Sequence, residues 1–305
     1  MTSNGTSHIP VLLHEVIEGL ALKPGDTVVD GTVNGGGHAK ALCETVGENG
    51  TVLGIDLDAD AITRARKNVL GPCKVELVEG SYRNLDTILS EKGIHDVQGV
   101  LFDFGLSSDQ LDTPAGGPGR GFSFTKDEPL LMTFAQAESK LTAREIVNEW
   151  DEKVLRDILL GYGEERYARK IAEGIVETRR EKPIETTFEL LEVIRNSVPE
   201  RYQHKRLHFA TRTFQALRIA VNDELECIEE GLSKAFTCLK PGGRIVAISF
   251  HSLEGRTVKL FFKEKKRLHE GVIITKKPIV PEREEVIKNP RARSAKLRII
   301  EKHAE

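Results

Sequence analysis

Cysteine is scarce in this chain of 305 residues: there are four, at positions 43, 73, 227 and 238, and no two form a Cys-x-x-Cys pair. That excludes the usual zinc-binding spacings and makes a disulfide framework unexpected. A reducing, cytoplasmic location is therefore the default expectation. No apolar run approaches the roughly 20 residues of a membrane span, so no membrane partner is expected. Residues 1–8 lack the charged and apolar regions of a secretory signal. Internal repeats and low-complexity tracts are absent. Net charge is also small, −3, but it is unevenly spread: from Gly255 to His303 there are 15 Lys/Arg against 6 Asp/Glu. A basic C-terminal stretch on an otherwise acidic chain suits a polyanionic partner, although a solvated surface explains it equally well.

With 39% hydrophobic and 30% charged residues, the chain can bury a sizeable core as one large domain or as one domain with an insertion. Its most informative stretch is Val28-Val29-Asp30-Gly31-Thr32-Val33-Asn34-Gly35-Gly36-Gly37-His38. A strand ends in an acid, glycines follow at once, and a helix begins. Such a turn lets backbone approach a ligand closely and aims free helix N–H groups at it. It is not a clean Gly-x-Gly-x-x-Gly, which disfavours a nicotinamide cofactor. About twenty residues on, Thr51 to Asp56 reads as a second strand ending in a carboxylate, placed to accept hydrogen bonds from ribose hydroxyls. Val75 to Val78 and Val97 to Asp103 read as further strands. Acids at the ends of three strands, Asp30, Asp56 and Asp103, point to one crevice at the carboxyl edge of a parallel sheet.

The strand–helix alternation then stops. Residues 109–206 contain no convincing strand. Thr142 and Glu145 have capping-box spacing, Ile171, Ala172, Ile175 and Val176 share one helix face, and Phe188, Leu191 and Ile194 share another. The pattern predicts a helical insertion between a first segment, 1–108, and a last, 207–305. In the last segment Phe214 to Leu239 reads as one long helix, Arg244 to Ser249 as a fifth strand, and Val272 to Thr275 with Leu297 to Ile300 as a closing antiparallel pair.

Several ordered motifs remain: Asp103-Phe104-Gly105-Leu106-Ser107-Ser108-Asp109-Gln110, Arg120-Gly121-Phe122-Ser123-Phe124, Thr211-Arg212-Thr213-Phe214 with Arg218, and Ser249-Phe250-His251-Ser252. Together they carry a resemblance, over nearly the whole chain, to the RsmH (MraW) family of methyltransferases. The resemblance implies an α/β fold: a Rossmann-like S-adenosylmethionine methyltransferase sheet, mostly parallel with an antiparallel last strand, carrying an inserted helical substrate-recognition domain. It implies S-adenosylmethionine as cofactor and methylation of the exocyclic N4 amine of a decoding-centre cytidine in small-subunit ribosomal RNA, with the assembled small subunit as partner. A homodimer is left open.

Carried over by position, Gly36, Gly37 and His38 would meet the methionine part of the cofactor, Asp56 the ribose and Tyr82 the adenine. Asp103 and Gln110 would complete the site, with Asp103 also the candidate acceptor for the substrate amine. Arg120, Phe122, Phe124, Arg212, Arg218 and His251 are candidates for RNA contact. Basic groups bind phosphate and aromatic rings stack on an unpaired base. Competing readings are a core position for Phe122 and Phe124 and a structural role for His38 and His251. No metal is expected. The chain departs from the family at Val33-Asn34, at the Gly/Pro-rich residues 113–119, and at Leu131 and Thr133, where the family carries Asp and Arg. These departures motivate a rival function: a catalytically degenerate methyltransferase fold serving as a ribosome-binding assembly factor. Retention of Gly36, Gly37, Asp56, Asp103 and Gln110 favours the enzyme.

Overall fold

A computed structural model describes residues 10–106, 119–134 and 141–304. The chain divides into two compact units, residues 1–105 with 225–305, and residues 106–224. The second division falls between Glu224 and Leu225, later than the 206/207 expected from the sequence, so the helix at residues 211–222 belongs with the insertion.

The first unit is built on a seven-stranded sheet in the order β3-β2-β1-β4-β5-β7-β6. Its elements in chain order begin α1 (Leu13–Leu20), β1 (Thr27–Asp30), α2 (Gly37–Val46), β2 (Thr51–Asp56), α3 (Ala59–Asn68), β3 (Lys74–Glu79), α4 (Leu85–Lys92) and β4 (Val97–Asp103). After the insertion come the helix Glu224–Cys238, β5 (Leu239–Ser249), the helix Ser252–Arg267, β6 (Gly271–Ile273), the helix Arg283–Lys288 and β7 (Lys296–Lys302). Strands β1 to β5 pair in parallel, whereas β7 runs antiparallel to both β5 and β6.

Alternate side chains of each strand enter two separate apolar clusters, as a sheet covered on both faces requires. Val28, Val52, Leu101 and Val246 pack with Val16, Leu42 and Ile62 of α1, α2 and α3. Val29, Leu53, Val100 and Ile245 pack with Leu85, Leu232 and Phe262 on the other face.

Three expectations are corrected here. The single helix across residues 214–239 is two, because Asp223 takes a left-handed conformation (φ 53°) that ends the first. The fifth strand starts at Leu239, five residues early, and turns at Gly242 (φ 75°) before its regular part. Cys43 and Cys73 are disulfide-bonded, with Cα atoms 5.2 Å apart. Their 30-residue separation hid the pair, because spacing alone does not show that α2 and the loop before β3 meet.

The second unit is helical: α5 (Ala143–Glu149), α6 (Glu152–Gly161), α7 (Ala168–Glu181), α8 (Thr187–Ser197), α9 (Glu200–Gln203) and α10 (Thr211–Asn222). In keeping with this numbering, Glu224–Cys238 is α11, Ser252–Arg267 is α12 and Arg283–Lys288 is α13. Capping boxes start α5 at Thr142/Glu145 and α8 at Thr186/Glu189. The apolar face of α7 is as read from the sequence. That of α8 is rotated: Thr187, Leu190 and Ile194 are buried and Phe188 is 45% exposed. Thr187 is drawn inward by its hydroxyl, which donates to Lys126 O (2.7 Å) and accepts from Glu128 N–H (3.1 Å), so Phe188 turns outward.

Candidate cofactor site

The strand order β2-β1-β4 brings the three acidic strand ends to one edge of the sheet; Asp30 lies in register with Gly54 of β2 and Leu101 of β4, so Asp56 and Asp103 stand two residues beyond it. Thr32 ties two of them together. Its N–H donates to Asp30 Oδ1 (3.2 Å), and its hydroxyl accepts the Asp103 N–H (2.7 Å). The next residues place the third. Asn34, left-handed at φ 47°, donates its N–H to Asp56 Oδ2 (2.9 Å), while Asp58 N–H donates to Oδ1 (2.9 Å). Asn tolerates the left-handed region better than other non-glycine residues, so this departure from the family is conformationally suited to the turn. Val33 is buried against Gly54, where a Cβ would come within 2.8 Å of its Cγ2.

The glycines that follow serve different needs. Gly36 is left-handed (φ 84°), and a Cβ there would lie 2.5 Å from Val69 Cγ2. At Gly37 a Cβ would lie 2.6 Å from Pro10 Cγ, whereas Gly35 faces open space. Gly36 and Gly37 are thus required by the protein's own packing, and Gly35 is the position that leaves room. Asn68 steadies it by donating to Gly35 O (2.9 Å). His38 is buried, with Nε2 3.0 Å from Val11 O. A carbonyl only accepts, so Nε2 carries the hydrogen, and Nδ1 faces Asp103 Oδ2 at 3.7 Å.

Electrostatically the site gathers buried carboxyls, with His38 facing Asp103 and Arg64 beside Asp56. Asp30 is 1% exposed, and among the described residues its Oδ2 has no hydrogen-bond partner; Asp103 Oδ1 is in the same condition. Burial pushes the Asp30 carboxyl up to about 7, with Asp56 adding to it, against the Thr32 hydrogen bond. Burial likewise raises Asp56 to about 6, opposed by the Asp58 and Asn34 N–H groups. Asp103 is raised well above its ordinary value by burial, then by the charges of Asp30 and Glu254. Unpartnered buried carboxylate oxygens are costly, and a cationic ligand is the chemical species that would relieve them.

Tyr82, in a short 3₁₀ turn after β3, sets its ring edge-on to Phe102 (5.3 Å between centroids) and Phe104 (6.0 Å). Gly231 of α11 makes room, since a Cβ there would lie 2.4 Å from the Tyr82 ring. His251 caps α12: its Nδ1 accepts the Glu254 N–H at 3.4 Å, and Glu254 Oε2 accepts the N–H groups of Phe250 (2.7 Å) and His251 (3.2 Å). That gives His251 a structural role in the first unit. Thr32 and Asp30 were missing from the sequence-derived site list. Asp30 carried the right signal, a strand-end acid beside a glycine turn, while the bridging hydroxyl of Thr32 had none. Gln110 lies outside the described residues, as does the loop from Ser107 to Asp112.

The second unit holds the other candidates. Arg120 donates to Phe134 O (2.9 Å) and lies over the Phe122 ring at 5.6 Å. Phe122 is 7% exposed and stacks on Phe134, so it is a core residue. Phe124 is half-buried, stacked on His208 at 4.4 Å and edge-on to Phe214. Arg212 donates to Glu164 O. Arg218 corrects the sequence reading: it is nearly buried in a two-pronged pair with Glu224 (2.6 and 2.8 Å), which commits its charge to the fold instead of to phosphate. A more open cationic surface surrounds Tyr202. Arg166 lies over the rings of Tyr167 (5.0 Å) and Tyr202 (4.7 Å), with Lys205 5.8 Å from the latter.

Comparison with known proteins places these features. The chain is 46% identical over 294 residues to ribosomal RNA small subunit methyltransferase H of Persephonella marina, covering 96% of this chain and 98% of the relative. It is 43% identical over 312 aligned positions to the protein of the same name from Trichlorobacter lovleyi, covering 97% and 98%. Among solved structures, an rRNA methylase from Streptococcus thermophilus aligns over 95% of this chain and 93% of its own, at 12% identity and a TM-score of 0.44. The MraW methylase family model matches residues 5–303. A match that leaves only residues 1–4 and 304–305 outside it takes in the acidic strand ends, the glycine turn and the helical insertion together, and the chain belongs to the MraW methylase family.

Proposed function

We propose that the chain transfers the methyl group of S-adenosylmethionine to the exocyclic N4 amine of a decoding-centre cytidine in small-subunit ribosomal RNA, with the assembled small subunit as substrate. The observation that carries this reading is the kinship, over nearly the full length of both chains, with ribosomal RNA small subunit methyltransferases H. The residues suit the cofactor. Each Asp56 oxygen uses one lone pair on a backbone N–H and keeps another for a ribose hydroxyl. Asp30 Oδ2, without a partner among the described residues, matches the positive charge of the cofactor. Tyr82 offers a ring for the adenine, and Gly36, Gly37 and His38 line the methionine end.

S-adenosylmethionine supplies, when bound, an electrophilic methyl group on a cationic sulfur. The difficulty lies with the cytosine amine, whose lone pair is delocalised into the ring. A hydrogen-bond acceptor against one N–H draws electron density back to nitrogen and takes up positive charge as it develops. Asp103 Oδ1, buried and without a partner among the described residues, is that acceptor. The remaining contribution is holding the nitrogen in line with the methyl carbon. The exposed cations Arg166 and Lys205 supply positive charge for RNA phosphate.

Asp103→Asn tests the acceptor role. It should still bind cofactor and lose methyl transfer by about 100-fold or more, the effect of removing one preorganised group from the reacting centre. Full-rate transfer by this variant would refute the role assigned to Asp103. Cofactor and ribosome binding by wild-type protein without any transfer would instead favour the assembly-factor function.

A further inference from the structure

We propose that the exposed face of α12 is a track for the phosphate backbone of the RNA substrate, leading away from the sheet edge where Asp103 stands. The inference rests on the proposed methyl transfer to RNA and names a surface that would hold the strand beside the target nucleotide. The basic character of α12 is patterned. Lys259, Lys263, Lys266 and Arg267 are exposed and fall at i, i+4, i+7 and i+8, so they share one face. Arg256 continues that face about one turn earlier. Among the described residues no ion pair engages Lys259, Lys263, Lys266 or Arg267. Lys265, on the other side of the helix, is by contrast paired with Glu270 and lies over the Phe236 ring. The one exposed acid of the helix, Glu264, sits about 100° round from Lys263.

Complementing the helix dipole does not explain the stripe. That effect is confined to the last turn, so it accounts for Lys266 and Arg267 but not for Lys259 or Lys263. A lipid surface fits no better, because a membrane-surface helix buries its apolar face in the bilayer. The apolar face of α12, with Leu253, Val258 and Phe262, is already buried in the protein, and Leu260 is the one large apolar residue among the cations. A polyanion needs only the charges. The place of the helix ties the stripe to the reaction. Ile248 of β5 is in register with Asp103 of β4, and the Phe104 N–H donates to Ile248 O (3.0 Å). The helix starts at Ser252, and a Cβ at Gly105 would lie 3.7 Å from Glu254 Oε1. The stripe therefore begins near the sheet edge that holds the acceptor. From Lys259 to Arg267 it runs about 12 Å along the helix.

The salt dependence of RNA binding by the full chain tests this, with a single-stranded oligouridylate and, separately, with small ribosomal subunits. Neutralising the four cations together (Lys259→Gln, Lys263→Gln, Lys266→Gln and Arg267→Gln) should lower the slope of log affinity against log salt by about 3, since each single-strand phosphate contact contributes about 0.7. A second variant (Lys23→Gln, Lys40→Gln, Arg66→Gln and Lys67→Gln) removes four exposed cations elsewhere in the same unit and changes net charge equally. It should keep the wild-type slope. Wild-type affinity for S-adenosylmethionine in both variants would show that each is folded. An unchanged slope in the first variant, or an equal loss in the two, would overturn the proposal. So would a loss of binding confined to vesicles of phosphatidylglycerol and phosphatidylcholine. Full methyl transfer by wild type with the slope unchanged would overturn the track and leave the reaction standing. A slope lowered as expected in a protein that transfers no methyl group would refute the assigned reaction and leave the track.

Discussion

Reducing the Cys43–Cys73 bond removes a crosslink around a segment that holds β2, α3 and Asp56. The two cysteines are 30 residues apart. In the chain-entropy treatment, closing a loop of that length lowers the entropy of the unfolded chain by about 12 cal/mol/K, or about 3.6 kcal/mol at 25 °C. That is about a 400-fold change in the unfolding equilibrium. Both cysteines are buried, at 0 and 9% exposure, and packed in the folded state, so the free thiols should leave the folded structure nearly unaltered. The loss should therefore appear in stability and not in cofactor affinity. The assay is urea unfolding of oxidised protein, of protein reduced with a phosphine, and of the Cys43→Ser/Cys73→Ser variant, with calorimetric titration of S-adenosylmethionine on each. Thiol counting on denatured, unreduced protein should find two groups, those of Cys227 and Cys238. Four thiols would show that the bond does not form. Two thiols with a stability loss below about 1 kcal/mol would refute the unfolded-state reasoning.

Other outcomes follow from the acidic pocket and the helical unit. Ligand-free protein should lose stability as pH rises from about 4 to 7. Asp30 titrates at about 7 when folded and near 3.8 when unfolded, so the folded state holds the extra proton in that window, and releasing it costs up to about 4 kcal/mol. Asp56, raised to about 6, acts in the same direction, and chemical denaturation at fixed pH values would show a flat or opposite trend if these carboxyls were not buried. Binding of the cationic cofactor should release protons and strengthen from pH 5 to pH 8, because a cation lowers both carboxyl pKa values; calorimetry in buffers of different ionisation heat would detect uptake instead if this is wrong. Arg218→Ala leaves Glu224 buried and alone and should destabilise the protein by about 3 kcal/mol. Arg166→Ala, by contrast, should leave stability within about 1 kcal/mol and weaken RNA binding in a salt-dependent manner, as an exposed cation on aromatic rings should.

The acidic strand ends were legible in the sequence because each closes a short β-branched run and is followed by a turn or a helix start, a signal local in the chain. The capping boxes of α5 and α8 were legible for the same reason. What depends on distant partners was not. Arg218 looks like any surface arginine until α10 ends at Asp223 and brings Glu224 to it. Phe188 fits an apolar stripe until the Thr187 hydroxyl finds Lys126 and Glu128, about 60 positions earlier, and rotates the helix. Cys43 and Cys73 are apart in sequence and adjacent only once α2 packs beside the loop before β3. In the glycine turn, the resemblance implied Gly36 and Gly37 as cofactor contacts, and the packing demand on each was not legible. A Cβ at Gly36 would meet Val69 and one at Gly37 would meet Pro10, neighbours that only the folded chain brings there, whereas Gly35 faces open space.

The assignment of a ribosomal RNA cytidine N4-methyltransferase is tested most directly by incubating the protein with methyl-labelled S-adenosylmethionine and small ribosomal subunits from a strain lacking the modification. The label should be found on the exocyclic amine of a single decoding-centre cytidine, and Asp103→Asn should abolish nearly all of it. Label on another base or on protein, or none despite cofactor binding, would contradict the assignment.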